Sequence, residues 1–210
     1  MRASTLIAAI CALLAPGIAQ AQMLMDGHRG VCSDCHVGAA TDRYVLDTEN
    51  SMVVYALDVF GFSKTIGTFR EIGGGFVFDP EDAENASVIA SIDAASVDMS
   101  DPALNRLVRS ERFLDAQAHP LITFQSTAVE RIDATHLRID GQVSLRGIAK
   151  PVSLAVEINK LGPHPLTGRR TAGIIATGRL QRSEFGLTLG LPSIGDEIEF
   201  TLYAQGTLLE

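Results

Sequence analysis

Residues 137–146 have the sequence LRIDGQVSLR, and this stretch decides the fold class. Apolar side chains at Leu137, Ile139, Val143 and Leu145 alternate with charged or polar ones. Alternation with a period of two is typical of a β-strand that buries one face and exposes the other. The stretch therefore predicts a strand in the wall of a sheet that encloses an apolar core.

The same alternation recurs along most of the chain beyond residue 43. Further strands are predicted at residues 53–59, 65–70, 76–79, 88–92, 120–130, 152–158, 171–181 and 198–204. Short polar turns join these segments, and such turns cannot connect parallel strands, so the sheet is expected to be antiparallel. Closing about eight strands into a barrel leaves no exposed edge. The predicted fold class is an all-β antiparallel barrel.

One short segment interrupts the strands with a helical pattern. Asp101 precedes Pro102, which is a typical helix start, and Leu104, Leu107 and Val108 then recur at helical spacing. We expect a single short helix here.

The first residues have the pattern of an export signal. Arg2 is followed by a mostly apolar run at residues 6–14 and by Ala-Gln-Ala at 19–21. The run is about half the roughly 20 residues that a transmembrane helix needs, so a cleaved signal is favoured over an anchor. We expect residues 1–21 to be removed, and we expect the protein to act in the periplasm.

The charge of the chain limits its partners. The full chain has a net charge of −8, which becomes −9 without Arg2. Nucleic acids and anionic lipid heads select clustered basic residues, so neither is an expected partner. Any lipid that the protein binds is expected to be held by its tail.

The inward-facing positions of the predicted strands are rich in aromatic and branched side chains. An eight-stranded barrel can fill its interior with such residues or keep a cavity for one ligand, and the pattern alone leaves both open. Glycines inside strands, such as Gly67, Gly141 and Gly178, indicate either a bend or a place where something approaches the backbone closely. The candidate ligand-lining residues are Tyr55, Leu57, Val59, Phe69, Phe76, Phe78, Phe124 and Phe200.

Several ordered blocks between residues 43 and 207 resemble the YceI-like family of lipid- and polyisoprenoid-binding proteins. The blocks are YVLD at 44–47 followed by Ser51, FGFS at 60–63, GTF at 67–69, FDP at 78–80, DAASVD at 93–98, LVRS at 107–110, RFLD at 112–115, HPLITF at 119–124, GQVSLRG at 141–147, KPV at 150–152, RSEFG at 182–186 and GD at 195–196.

This resemblance implies a lipocalin-like barrel at residues 43–210 whose interior takes an isoprenoid or another long lipid tail. The chain departs from the family pattern at Val59, where many relatives have His, and this favours an apolar wall there. No nucleophile, base and orienting group form a recognisable set, so no enzyme is expected. Arg182 and Asp196 are interpreted as polar residues of a turn at the rim.

The extension at residues 22–42 contains Cys32-Ser-Asp-Cys35-His36, the C-x-x-C-H pattern of c-type haem attachment. In this chemistry the two thiols bind the haem covalently and the imidazole of His36 ligates the iron. A disulfide or redox dithiol is the main alternative, since an exported protein meets oxidising conditions. A zinc site is weaker, because His28 is the one further ligand nearby.

Two hypotheses follow from the sequence. In the first, a periplasmic carrier holds a polyisoprenoid, quinone-like or other lipid tail, with a redox role if haem is attached. In the second, the protein is a haem or dithiol redox protein and the barrel is a filled scaffold. A membrane redox partner and a homodimer are compatible with either hypothesis.

Overall fold

The computed structural model describes residues 42–209. This part of the chain is built almost entirely of strands, with three short 3-10 helices and one α-helix, α1 (Pro102–Arg109). The strands are β1 (Arg43–Leu46), β2 (Met52–Val59), β3 (Ser63–Phe69), β4 (Ile72–Val77), β5 (Ser87–Asp93), β6 (Val97–Asp98), β7 (Leu121–Arg131), β8 (His136–Leu145), β9 (Ile148–Pro163), β10 (Arg170–Gln181) and β11 (Ile194–Leu208). The predicted all-β class with one short helix is confirmed.

All strand pairs are antiparallel and eight of the strands close into a ring. The order around the ring is β1-β4-β5-β7-β8-β9-β10-β11, and β11 returns to β1 through the pairs Tyr44 to Leu208 and Leu46 to Gly206. The described chain therefore forms the closed antiparallel barrel that the alternation and the resemblance predicted.

Each of the remaining three strands, β2, β3 and β6, extends one strand of this ring. Beyond its pairing with β1, β11 continues along β2, where Tyr203 pairs with Met52 and Ile198 with Leu57. In the same way β3 pairs with β2, and β6 pairs with β3. β1 and β2 thus form one long strand with a single interruption. The same holds for β3 and β4, and for β5 and β6. The interruptions at residues 47–51 and 94–96 contain local turns, in which the carboxylates of Asp47 and Asp93 accept backbone N–H bonds.

Glycines in the wall make room for aromatic rings of the protein itself. A Cβ at Gly178 would lie 2.5 Å from Cζ of Phe200, its partner on β11, and the ring of Tyr55 covers Gly67 on β3 in the same way. Gly141 lies equally close to the ring of Phe124. The groups that approach these backbones are therefore inward-pointing aromatic side chains.

One end of the barrel is filled by side chains. Tyr44 stacks on Phe76, with ring centroids 4.9 Å apart and planes 10° apart, and both side chains are buried. Phe76 pairs with Val88 at the start of β5, whereas α1 follows β6, which continues β5 at its other end. The stacked rings therefore lie at the end of the barrel opposite to α1.

Helix α1 sits in the connection between β6 and β7. The carboxylate of Asp101 accepts the backbone N–H of Ala103 at 2.7 Å, and Pro102 opens the helix, as the sequence predicted. Near the helix end, the guanidinium of Arg109 donates to the carbonyl of Val97 on β6 at 2.8 Å. The first bond caps the helix, and the second attaches its end to β6. Among residues 42–209, no helix has the length and apolar character that crossing a bilayer requires.

A candidate ligand cavity inside the barrel

The barrel interior contains a cavity of about 310 Å³ between the stacked rings at one end and α1 at the other. Apolar side chains from the long strands and from α1 form its wall. The lining side chains that carry oxygen or nitrogen are those of Tyr55, Thr65, Thr123 and Arg182. A concave, mostly apolar site with few polar groups is typical of a binding site for a small apolar molecule.

Six of the eight residues predicted to line a ligand site do line this cavity. They are Tyr55, Leu57, Val59, Phe69, Phe124 and Phe200. Phe76 and Phe78 are buried but lie outside the cavity lining. Phe76 is occupied in the stack with Tyr44, which fills the end of the barrel rather than its chamber.

The helical segment supplies lining residues that are not among the candidates predicted from the sequence. Leu104, Leu107 and Val108 of α1 face the cavity, and so do Phe113 and Leu114 just after it. The helical spacing of Leu104, Leu107 and Val108 already indicated this contact. A lone amphipathic helix in an all-β chain packs its apolar face against the barrel. The helix therefore covers part of the second end of the chamber, where Leu104 remains 39% exposed.

The opposite wall comes from the later strands. Ile139, Leu154, Val156, Ile174 and Leu180 line the cavity from β8, β9 and β10. These residues occupy the alternating apolar positions of their strands, so the period-two pattern contained this wall too. The candidates predicted from the sequence are mostly aromatic and do not include the residues of this wall.

Tyr55 is the lining residue with a polar group deep in an apolar surrounding. Its ring lies against Gly67 and contacts Phe69, with centroids 5.5 Å apart. Burial raises the pKa of Tyr55 to about 12, so the phenol is protonated at neutral pH. It can donate a hydrogen bond to an oxygen of a molecule held in the cavity.

Arg182 corrects a sequence-based interpretation, because it is a buried residue rather than a polar rim residue. Its side chain is 1% exposed and its guanidinium donates four hydrogen bonds to backbone carbonyls. The acceptors are the oxygens of Gly195 at 2.7 Å, Leu187 at 2.5 Å, Leu189 at 2.9 Å and Ile194 at 2.8 Å. Burial lowers the pKa of Arg182, while the nearby Asp196 carboxylate opposes this shift.

These bonds hold the loop between β10 and β11 against the barrel. Two residues of that loop region, Leu187 and Ile194, line the cavity. Asp196 accepts the backbone N–H of Ser183 at 2.8 Å and its hydroxyl at 2.6 Å. Arg182 is therefore bonded to backbone carbonyls and Asp196 to Ser183, and together these bonds brace the cavity wall.

The predicted haem-attachment residues Cys32, Cys35 and His36 lie outside the described residues. The same holds for the predicted signal at residues 1–21 and for the extension up to residue 41. Asp42 is the first described residue, and its carboxylate forms an ion pair with Arg170 at 2.8 Å.

A closed eight-stranded antiparallel barrel around an apolar chamber defines a protein of the lipocalin-like class. The family model described as YceI-like domain matches residues 44–205, and the chain belongs to this family. A protein of Azotobacter vinelandii named UPF0312 protein is 32% identical over 165 residues, which cover 78% of this chain and 85% of the relative.

Two solved structures share the fold. Burkholderia cenocepacia BcnA superimposes with a TM-score of 0.69 at 24% identity, over 76% of this chain and 98% of that one. A polyisoprenoid-binding domain from Saccharophagus degradans, implicated in plant cell wall breakdown, superimposes with a TM-score of 0.59 at 12% identity, over 79% and 98% of the two chains.

Proposed function

We propose that this protein is a carrier that holds the tail of a polyisoprenoid, quinone-like or other long-chain lipid inside its barrel. The observation that carries the proposal is the cavity of about 310 Å³, whose wall is apolar except at four side chains. A filled barrel that acts as a mere scaffold has no need of such a chamber. The fold shared with a polyisoprenoid-binding domain supports the same class of ligand.

The energetics of the site suit a lipid tail. Burial of apolar surface contributes about 25 cal/mol per Å², so a tail that buries roughly 300 Å² gains on the order of 7 kcal/mol before the cost of association. Tyr55 and the two threonines of the wall supply a small number of hydrogen-bonding groups for a polar head. Binding of this kind needs no bond to be made or broken, and we propose a binding protein rather than an enzyme.

The pattern of residues 1–21 supports a periplasmic location for this carrier. Between two membranes, a long isoprenoid has no stable place in water because its hydration is unfavourable along its whole length. A protein that shields the tail in a closed barrel solves this problem.

The direct test is to identify what the purified protein contains. Organic extraction followed by mass spectrometry is expected to recover a long-chain lipid in a ratio approaching one per protein. Extracted protein should then bind an apolar fluorescent dye that the lipid displaces. Ligand-free protein that also fails to bind such a dye contradicts the carrier function.

We also propose that Cys32, Cys35 and His36 attach haem c, which would give the carrier a redox role. The support is the C-x-x-C-H string together with the export pattern, since haem of this type is attached outside the cytoplasm. Protein made with a haem maturation system is expected to show a Soret band that Cys32→Ser abolishes. A parent protein without the band favours the dithiol alternative.

A further inference from the structure

The turn between β2 and β3 exposes two large aromatic side chains. Phe60 is 66% exposed and Phe62 is 94% exposed, in a protein with nine phenylalanines in all. Neither of the two contributes to the cavity lining. We call the turn at residues 59–63 the hairpin tip.

The backbone of the hairpin tip is unusual for these residues. Phe60 has φ 56° and Gly61 has φ 72°, so both central positions are left-handed, as in a type I′ turn. Asparagine and glycine suit such positions, whereas a bulky residue at the first one is strained. The carboxylate of Asp58 holds the turn by accepting the N–H of Gly61 at 2.7 Å. The chain keeps an exposed phenylalanine here at the expense of local stability, which indicates a contact outside the barrel.

The hairpin tip lies at the end of the barrel that α1 covers. Val59, the last residue of β2, and Thr65, near the start of β3, line the cavity. The N–H of Phe60 donates to the carbonyl of Ser193 at 2.7 Å, which ties the tip to the loop that Arg182 braces. Leu104 of α1 lines the cavity and is 39% exposed, so the apolar wall reaches the surface at this end.

The basic side chain nearest to the hairpin tip, that of Lys64, is paired. Lys64 forms an ion pair with Glu199, and Arg179 lies 3.4 Å from the other oxygen of that carboxylate. Asp58 carries a negative charge beside the tip, and its carboxylate accepts the backbone N–H of Gly61. The tip therefore offers apolar side chains beside a carboxylate and without an unpaired basic residue on β2 or β3, and the chain as a whole is acidic. This combination suits the interface of an uncharged, zwitterionic bilayer and disfavours an anionic one.

We propose that the hairpin tip inserts Phe60 and Phe62 into the surface of a bilayer and sets the mouth of the cavity against it. A lipid tail then passes between membrane and barrel with little exposure to water. This inference rests on the proposed carrier function, and it adds how the carrier is loaded and unloaded. Two aromatic side chains give weak, reversible docking, as a carrier that must leave the membrane requires.

The absence of tryptophan from the chain allows a clean test. Phe62→Trp places a single tryptophan on the hairpin tip, and Tyr203→Trp places one at a 46% exposed position on β11 outside the cavity lining. On addition of phosphatidylcholine vesicles, the emission of Phe62→Trp is expected to shift to shorter wavelength, while that of Tyr203→Trp stays in place. Vesicles rich in phosphatidylglycerol are expected to give a weaker shift.

A second variant distinguishes the rate of lipid uptake from the capacity of the cavity to hold lipid. In Phe60→Asn/Phe62→Ser, the asparagine suits the left-handed turn, so folding is retained. Its lipid content after equilibration is expected to equal that of the parent, whereas its rate of lipid uptake from vesicles falls at least about tenfold. An unshifted Phe62→Trp emission, a shift that requires an added protein instead of vesicles, or an unchanged uptake rate overturns the docking proposal. Absence of lipid from every variant contradicts the carrier function instead.

Discussion

At the scale of single residues, the cavity depends on glycines that sit under aromatic rings. Gly178 and Gly67 face Phe200 and Tyr55 on neighbouring strands, so each ring can lie flat on the wall. A side chain at either glycine would push the ring into the chamber. The small residues thus set how much of the interior stays open.

Gly178→Ala is expected to destabilise the protein by about 1–3 kcal/mol, as overpacking usually does. The new Cβ would lie 2.5 Å from Cζ of Phe200 and 2.8 Å from Cδ2 of Leu154. Gly162→Ala is the matched control, because it is also in a strand and its Cβ meets nothing within 4 Å. Urea unfolding measures both, and equal midpoints for the two variants contradict the close packing at Gly178.

Tyr55 gives the folded protein a pH dependence at alkaline pH. An unfolded tyrosine ionises near pH 10, whereas burial raises the pKa of Tyr55 to about 12. The raised pKa contributes stability that is complete below pH 10 and is lost as the pH rises through 12. Between these values the free energy of unfolding is therefore expected to fall.

Tyr55→Phe is expected to show a smaller fall in the free energy of unfolding between pH 9 and pH 11. The remaining fall in the variant comes from groups common to both proteins, such as Tyr44, whose pKa burial also raises. Urea unfolding at the two pH values measures the difference. Parallel losses in parent and variant contradict the burial of the Tyr55 phenol.

At the scale of elements, helix α1 is the part of the chamber wall that lies outside the hydrogen-bonded network of strands. It is the single α-helix in the described chain, it follows β6, and its apolar side chains cover part of one end of the chamber. The capping bond from the Ala103 N–H to the Asp101 carboxylate fixes its first turn. Weakening the cap should loosen this end of the chamber before it disturbs the strands.

Asp101→Ala is expected to destabilise the protein by about 1 kcal/mol and to speed release of a bound lipid. Asp101→Asn keeps a side-chain oxygen at the cap and serves as the control. Stopped-flow displacement of a fluorescent fatty acid measures the release rate. Identical rates in both variants would show that α1 does not limit release.

Local sequence patterns predicted these elements unevenly. The period-two alternation located the strands, and the spacing of Leu104 and Leu107 located α1. The interruptions of the long strands at residues 47–51 and 94–96 depend on local bonds of Asp47 and Asp93. In sequence these segments resemble ordinary turns. Arg182 was misjudged as a rim residue because its acceptors lie in a loop that folds back from residues 187–195, which no local pattern reveals.

At the scale of the whole molecule, closure of the barrel joins the two ends of the described chain. The pairing of Tyr44 with Leu208 spans nearly the whole domain, and alternation within single strands carries no information about it. The expectation of closure came from the cost of exposed sheet edges and from the resemblance to the YceI-like family, and neither gave this register. Closure also decides which aromatic residues fill an end, as Phe76 does, and which line the chamber, as Phe124 does.

The central claim is that the chamber holds a long apolar ligand, and titration with cis-parinaric acid tests it most directly. Ala90 on β5 lines the cavity, whereas Ala155 on β9 is exposed on the outer face. Ala90→Phe is expected to weaken binding of the probe at least about tenfold, because the phenyl ring occupies space that the tail needs. Ala155→Phe is expected to bind the probe as the parent does. Equal affinity in Ala90→Phe, Ala155→Phe and the parent would place the ligand outside the barrel and contradict the claim.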